Sequence, residues 1–226
     1  MTDLHTHILP GIDDGAQTIE ESIALLKAEL KSGVDTVALT PHFNLSAAEQ
    51  PDFVIRRNQA YNALSDAIRK HDLPIELILG AEVKFTNLPD LDLDSLCYED
   101  TGIILIELPM DHYPLYTREV LYGLQMDGYT PLIAHAERYS YFTNKPDLLE
   151  KLIRSGTLVQ VNANGLLKPG KTRRKILKMI SNGFVHVLAT DTHSIDMRPP
   201  KLDQAVKVIE KKLGIDAAQR LVNFEL

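Results

Sequence analysis

The sequence predicts an α/β fold built on a parallel sheet. Three observations point there: seven short apolar runs, amphipathic segments between them, and a continuous rather than alternating pattern within the runs. Thr36-Val37-Ala38-Leu39 and Ile103-Ile104-Leu105-Ile106 are continuous in this way, which suits parallel strands buried on both faces. Seven strands alternating with helices build either a closed barrel or an open sheet.

The elements follow in order along the chain. The first apolar run, 2–8, leads to a helical pattern over 18–32. Thr18 before Ile19-Glu20-Glu21 starts that helix with an acidic first turn, and Ser32-Gly33 ends it. The run 35–40 is followed by a helix over 51–71, and the run 75–83 by a short helix at 93–98. The runs 103–108 and 131–135 precede helices at 114–128 and 146–155, the second ending at Ser155-Gly156. The runs 157–162 and 185–190 precede helices at 171–183 and 200–213, and 216–224 begins one more helix.

Composition narrows the function classes. Of 226 residues, 44 % are apolar, enough for a sizeable core, and no Gly/Ser, Pro-rich or charge-block linker divides the chain. A single domain over 1–226 is expected. Acidic residues outnumber basic ones, 31 to 24, for a net charge of −7. That balance argues against nucleic acid and anionic membrane as partners, since both need basic surface. Cys97 is the only cysteine, so an internal disulfide and a Cys-rich zinc site are excluded. The chain shows no signal peptide and no membrane-spanning segment, so a cytoplasmic location is expected.

Each apolar run delivers a polar group at its C-terminal end, where active sites assemble in parallel α/β folds. The groups are His5 and His7, then His42, Glu82, Glu107, His135, Asn162 with Asn164, and finally Asp191 with His193. Asp13 and Asp14 follow the first run, just before Gly15. Residues i and i+2 of a strand share a face, so His5 and His7 converge, as do Asp191 and His193. A buried unpaired carboxylate such as Glu82 or Glu107 needs a cation or a hydrogen-bonding partner. Five histidines and at least four carboxylates suffice for two or three divalent ions. Mixed N and O donors without thiolate suit Mn, Fe or Zn. His71, His112 and His186 lie away from the strand ends and read as structural or surface residues.

The ordered set His5-Thr6-His7, Asp14-Gly15, Thr40-Pro41-His42, Gly80-Ala81-Glu82, Ile133-Ala134-His135 and Asp191-Thr192-His193 resembles the polymerase-and-histidinol-phosphatase (PHP) metal hydrolases. The segment from Asp3 to Ala16, with Leu105-Ile106-Glu107-Leu108-Pro109 and His135-Ala136-Glu137-Arg138, resembles the bacterial manganese-dependent tyrosine-protein phosphatases of capsule and exopolysaccharide synthesis. The likeness runs from residue 3 to about residue 225. It implies a distorted (β/α)7 TIM-like barrel. It also implies a metal cluster held by His5, His7, Asp14, His42, Glu82, Glu107, His135, Asp191 and His193, with Mn²⁺ as the leading choice. Arg138 and Arg198 fall where that subgroup places phosphate-binding arginines, and His42 or His193 is the candidate proton donor. Ala136 departs from the subgroup, which usually has Pro there. The implied activity is phosphotyrosine hydrolysis by a metal-bound hydroxide, on a phosphotyrosine protein such as the tail of a bacterial tyrosine kinase.

Cysteine-phosphatase chemistry is unsupported, because it needs an Arg six residues after the nucleophile and Ile103 follows Cys97 at that spacing. Tyr139 and Tyr141 follow Arg138 and are either a wall for an aromatic substrate or half-exposed surface tyrosines. The basic run Lys168 to Lys175 reads as a solvated helix face. The rival functions are a small-molecule phosphatase of the histidinol-phosphatase kind, a nuclease-like enzyme and a non-catalytic metal-binding scaffold.

Overall fold

The computed structural model describes residues 1–88 and 90–224. β1 (Thr2–Thr6) leads to α1 (Ile19–Lys31), whose first turn is capped by the Thr18 side chain accepting from the Glu21 amide. β2 (Thr36–Leu39) follows, then a two-residue strand β3 (His42–Phe43) and the long α2 (Gln50–Lys70). Next come β4 (Glu76–Leu79), β5 (Glu82–Lys84) and β6 (Ile103–Glu107). α3 (Thr117–Met126), β7 (Thr130–Ile133), α4 (Ser140–Asn144) and α5 (Pro146–Arg154) continue the alternation. The last third holds β8 (Leu158–Asn162), α6 (Asn164–Leu167), α7 (Lys171–Ser181), β9 (Val187–Ala189), α8 (Leu202–Leu213) and α9 (Ile215–Val222).

Two of the sequence-predicted runs are divided. The run 35–40 is interrupted at Thr40-Pro41 and resumes as β3, since proline has no amide for the ladder. The run 75–83 is interrupted at Gly80-Ala81 between β4 and β5. Pairing carries across both breaks, because Gly80 donates to Leu39 O at 3.0 Å and Glu82 to Pro41 O at 3.0 Å. The result is one sheet of order β1-β2-β4 and a second of order β3-β5-β6-β7-β8-β9, all parallel. Beyond β9, the Asp191 amide donates to His5 O and the His7 amide to Thr192 O, both at 2.8 Å. The sheet therefore curls until its last strand end meets its first.

The expected helix at 93–98 is absent: a turn precedes a single 3-10 turn at Glu99–Thr101. Leu96, Cys97 and Tyr98 are all buried, and three consecutive buried side chains do not fit one face of a helix. Tyr98 instead enters the curl of the sheet, where its hydroxyl donates to Leu4 O at 2.7 Å. Around it lie Leu4, Ala38, Leu105, Leu132 and Val187, a small inner core. Alternate strand residues such as Ile104, Ile106, Val159 and Leu188 face outward into the larger core under the helices.

Candidate metal centre

The inner core supports a polar layer at the C-terminal ends of the strands. β1 reaches it through a bulge. Asp3 pairs with Val37 but Thr6 with Leu39, so β1 spends one extra residue. The extra residue reverses the alternation: Leu4 faces the inner core, and His5 and His7 beyond it also face inward. Gly15 closes the loop over them. A Cβ there would lie 1.9 Å from His7 O, so only glycine allows this approach, in which the Ala16 amide donates to His7 O at 3.0 Å.

The nine candidate ligands form one cluster. His5 Nε2 and His7 Nε2 are 3.2 Å apart, and Glu82 Oε2 lies 3.3 and 3.4 Å from them. His42 Nδ1 is 2.9 Å from the same oxygen but without hydrogen-bond alignment. His135 Nε2 is 2.9 Å from Glu82 Oε1 and 3.7 Å from Glu107 Oε1. Asp191 Oδ1 lies 3.4 to 3.7 Å from His5, His7 and His193. Asp14, largely exposed, completes the rim at 3.4 Å from His193 and 3.6 Å from His42. Three sets have ligand atoms close enough to share an ion: His7, Asp14, His42 and His193; His5, His7 and Glu82; His42, Glu82 and Glu107. His135 and Asp191 each touch these sets at the edge.

Hydrogen bonds fix the ring orientations. His7 Nδ1 pairs with Asp13 Oδ2 at 2.6 Å, and His5 Nδ1 pairs with Gln160 Oε1 at 3.2 Å. Both partners are acceptors, so both Nδ1 atoms carry the proton and both Nε2 lone pairs face each other. Two imidazole lone pairs and a carboxylate oxygen, all buried, repel unless a cation sits among them. Burial opposes charge on both rings. Glu82 and Asp191 nevertheless raise the pKa of His5, and hydrogen bonds donated to Asp13, Asp191 and Glu82 raise that of His7 well above the usual range. The upward shifts favour a proton on these rings, the same positive charge that a divalent ion would bring. The orphaned Glu82 Oε2, His42 Nδ1 and His135 Nδ1 fit the same demand, so the donor set suits divalent ions.

Backbone strain marks two of the strand ends. His135 has φ 34° and Asp191 φ 54°, a left-handed conformation uncommon for residues with a side chain. Asn162 holds Asp191 in place by donating to its Oδ2 at 2.8 Å, and Gln160 accepts from the His135 amide at 2.6 Å.

Arg138 and Arg198 approach opposite oxygens of Asp191, at 3.6 and 3.5 Å, and each is 42 % exposed. They share a cavity of about 550 Å3 with Asn162, Asn164 and Asp191. Arg138 does not pair with neighbouring Glu137, which is buried and accepts from the Asn162 amide. Arg198 Nη1 stands 3.1 Å from the His193 ring nitrogens. Burial pushes the His193 imidazole down to about 4, with His7 and then Arg198 adding to it against Asp191.

Tyr139 is fully buried, accepts from the Leu108 amide at 2.9 Å and cannot form a substrate wall. Arg173 and Lys175 do not belong to a solvated face. Arg173 donates to Leu166 O and Leu167 O, while Lys175 donates to Glu137 O and, at 3.3 Å, to Tyr139 O, bracketing Arg138. His71 and His112 are exposed, and His186 accepts from the Val159 amide, as structural or surface histidines do. Cys97 is buried with its thiol pushed up to about 12, first by burial and then by Asp94 and Asp92. Missing from the sequence reading were the roles of Asp13, Gln160 and Asn162 in orienting the ligands. Asp13, next to Asp14, and Asn162, at a strand end, carry a local signal, whereas Gln160 inside an apolar run carries none.

Comparison with known proteins gives this geometry a family. The chain is 33 % identical over 232 residues to tyrosine-protein phosphatase YwqE of Bacillus subtilis, covering all of this chain and 91 % of that one. It is 31 % identical to tyrosine-protein phosphatase CpsB of Streptococcus pneumoniae, covering 98 % and 94 %. Among solved structures it matches one from work on YwqE and CpsB, described there as unique metal-dependent tyrosine phosphatases, with a TM-score of 0.88, 31 % identity and coverage of 99 % and 92 %. A lactonase of Listeria monocytogenes shares the fold at a TM-score of 0.64 and 13 % identity. The family described as capsular polysaccharide synthesis, CpsB/CapC, matches residues 1–224, and the chain belongs to it.

Proposed function

We propose that this chain is a metal-dependent protein-tyrosine phosphatase, a phosphoric monoester hydrolase serving capsular or extracellular polysaccharide synthesis. The observation that carries the proposal is the pair of His5 and His7 Nε2 lone pairs meeting at 3.2 Å beside Glu82, a pocket that calls for a cation. The names of YwqE and CpsB supply the substrate class.

His5, His7, Asp14, His42, Glu82, Glu107, His135, Asp191 and His193 would hold two or three divalent ions. Mn²⁺ is the first choice, and the N and O donors also admit Fe and Zn. Bound ions of this kind supply Lewis acidity toward the phosphoryl group and toward water. Arg138 and Arg198, held by Asp191, aim their remaining N–H groups into the cavity to bind two non-bridging phosphate oxygens. His193, 3.1 Å from Arg198 Nη1, and half-buried His42 beside Asp14 both stand at the rim, where either would donate a proton to the leaving group. A phenolate leaving group, with phenol pKa about 10, asks little of a general acid.

We read the curled sheet as a distorted (β/α)7 barrel in one domain over 1–226. Counting β2 with β3 and β4 with β5 as single staves supports that reading, as does the Asp191-to-His5 bond. No helix among the described residues is long and apolar enough to cross a membrane. A cytoplasmic location and a bacterial tyrosine kinase tail as substrate complete the proposal. The test is hydrolysis of a phosphotyrosine peptide, histidinol phosphate and single-stranded DNA with added Mn²⁺. The peptide is the expected substrate, and preference for either of the others contradicts the proposal.

A further inference from the structure

A second cationic cavity lies apart from the metal ligands, between the segment after β6 and helices α3, α4 and α5. It measures about 570 Å3 and is lined by Arg118, Lys145 and Lys151, by the rings of Tyr113 and Tyr141, and by Leu115. Among the described residues no carboxylate lines it, although the chain as a whole carries a net charge of −7. Of the nearby acids, Asp111 pairs with His112 at 2.8 Å and Glu150 with Arg154 at 2.6 Å, while Glu119 acts on Tyr113 without lining the cavity. Three like charges on the walls of one hollow, with no carboxylate among them, invite an anionic ligand. Leu115, 93 % exposed, and the two tyrosines give the same hollow an apolar side.

The cavity is held in register with the metal centre by a ladder of rings. His135 to Tyr139 is 5.7 Å, Tyr139 to Tyr141 is 5.3 Å with the rings stacked, and Tyr141 to Tyr113 is 5.4 Å edge to face. The ladder is pinned to the segment after Glu107, since Tyr139 accepts from the Leu108 amide and Tyr141 donates to Pro109 O at 2.9 Å. The ladder runs inside the protein, and its three steps set His135 and Tyr113 no more than about 16 Å apart, a span that roughly five residues of extended peptide cover at about 3.3 Å each.

We propose that this cavity docks an acidic segment of the polypeptide substrate, with an apolar or aromatic residue among its acids, about five residues from the phosphotyrosine. The inference rests on the reading of the chain as a protein-tyrosine phosphatase. A polypeptide is the occupant that the geometry favours, because one chain reaches both sites and a concave hollow of mixed character suits side chains better than a flat bilayer does.

The test compares two phosphotyrosine peptides, one with Asp and Glu at that spacing and one with Ser in their place. The enzymes are wild type and Lys145→Glu/Lys151→Glu, and p-nitrophenyl phosphate is the small substrate. Wild type should show a KM about tenfold lower for the acidic peptide, and the variant should lose that preference with kcat unchanged. Both should hydrolyse p-nitrophenyl phosphate alike. Equal KM values for the two peptides on wild type overturn docking while leaving the phosphatase reading intact. If no phosphoester is hydrolysed, the phosphatase reading fails. Docking is then judged by fluorescence anisotropy of the unphosphorylated acidic peptide, where equal binding by wild type and variant overturns it. Vesicles with anionic lipid bound only by wild type, with no KM difference between peptides, also overturn it. If the double variant does not fold, Lys151→Ala and added salt replace it. Either should raise KM for the acidic peptide only, and a KM that does not move overturns the proposal.

Discussion

Asp13→Asn isolates the support beneath the metal centre from the ligands themselves. Asp13 Oδ2 accepts from His7 Nδ1 at 2.6 Å and from the His42 amide at 2.9 Å, and Oδ1 accepts from the Gly15 amide at 2.9 Å. Asparagine keeps the shape but replaces one acceptor oxygen by a donor and removes the charge. The Asp13 carboxyl is held at about 2, because hydrogen bonding and charge from His7, with the Gly15 and His42 amides, outweigh the opposing effect of burial. A fall of about two units corresponds to roughly 2–3 kcal/mol. Because the shift is downward, this stability is complete above the ordinary carboxylate range near pH 4 and is lost as pH falls through about 2. At pH 7 the metal-free variant should therefore unfold about 5–10 °C lower than wild type. Loss of an outer partner to a ligating histidine typically costs 10- to 100-fold in metal affinity. Thermal unfolding in EDTA and calorimetric titration with Mn²⁺ measure the two effects. Mn²⁺ affinity within twofold of wild type would refute the assigned role of Asp13.

Other expectations follow from the same geometry. Arg138→Ala should lower kcat/KM on a phosphotyrosine peptide at least tenfold, about 1.4 kcal/mol upward, with metal content unchanged; equal kcat/KM counts against a phosphate clamp. Gly15→Ala should displace the His7 backbone, since the new Cβ meets His7 O, and metal analysis should find fewer ions per chain. Cys97→Ala should keep its phosphatase activity, because the buried thiol, pushed up to about 12, supplies no nucleophile; a large loss of kcat contradicts this. The pKa values of His5 and His7 are raised in the metal-free chain, so metal must displace their protons. Mn²⁺ affinity should then fall as pH drops from 8 to 6, roughly tenfold per unit for each proton displaced, and a pH-independent affinity speaks against proton displacement.

Much of this architecture is legible in local sequence. Continuous apolar runs mark parallel strands, and Thr18 and Gly33 mark the ends of α1, where Gly33 takes φ +80°. The ligands stand out because polar residues at the ends of apolar runs have few other uses. What local pattern cannot show is non-local. The bulge in β1 exists only relative to its pairing with β2, so the inward turn of both His5 and His7 is not visible from alternation alone. Gln160 lies in an apolar run and becomes meaningful only when β8 sets it beside His5 and His135. Tyr139 looks like a loop residue until its hydroxyl is seen to accept from Leu108, thirty-one residues away. Lys175 reads as surface charge for the same reason, since its carbonyl partners lie on the loop that carries Arg138.

The most direct measurement is the metal content of protein purified without chelator, taken together with its phosphotyrosine phosphatase activity before and after EDTA. The five histidines and four carboxylates gathered around Glu82 predict two or more equivalents of transition metal per chain. They also predict activity that EDTA removes and Mn²⁺ restores. One equivalent or fewer, with phosphatase activity surviving EDTA, would contradict the metal centre.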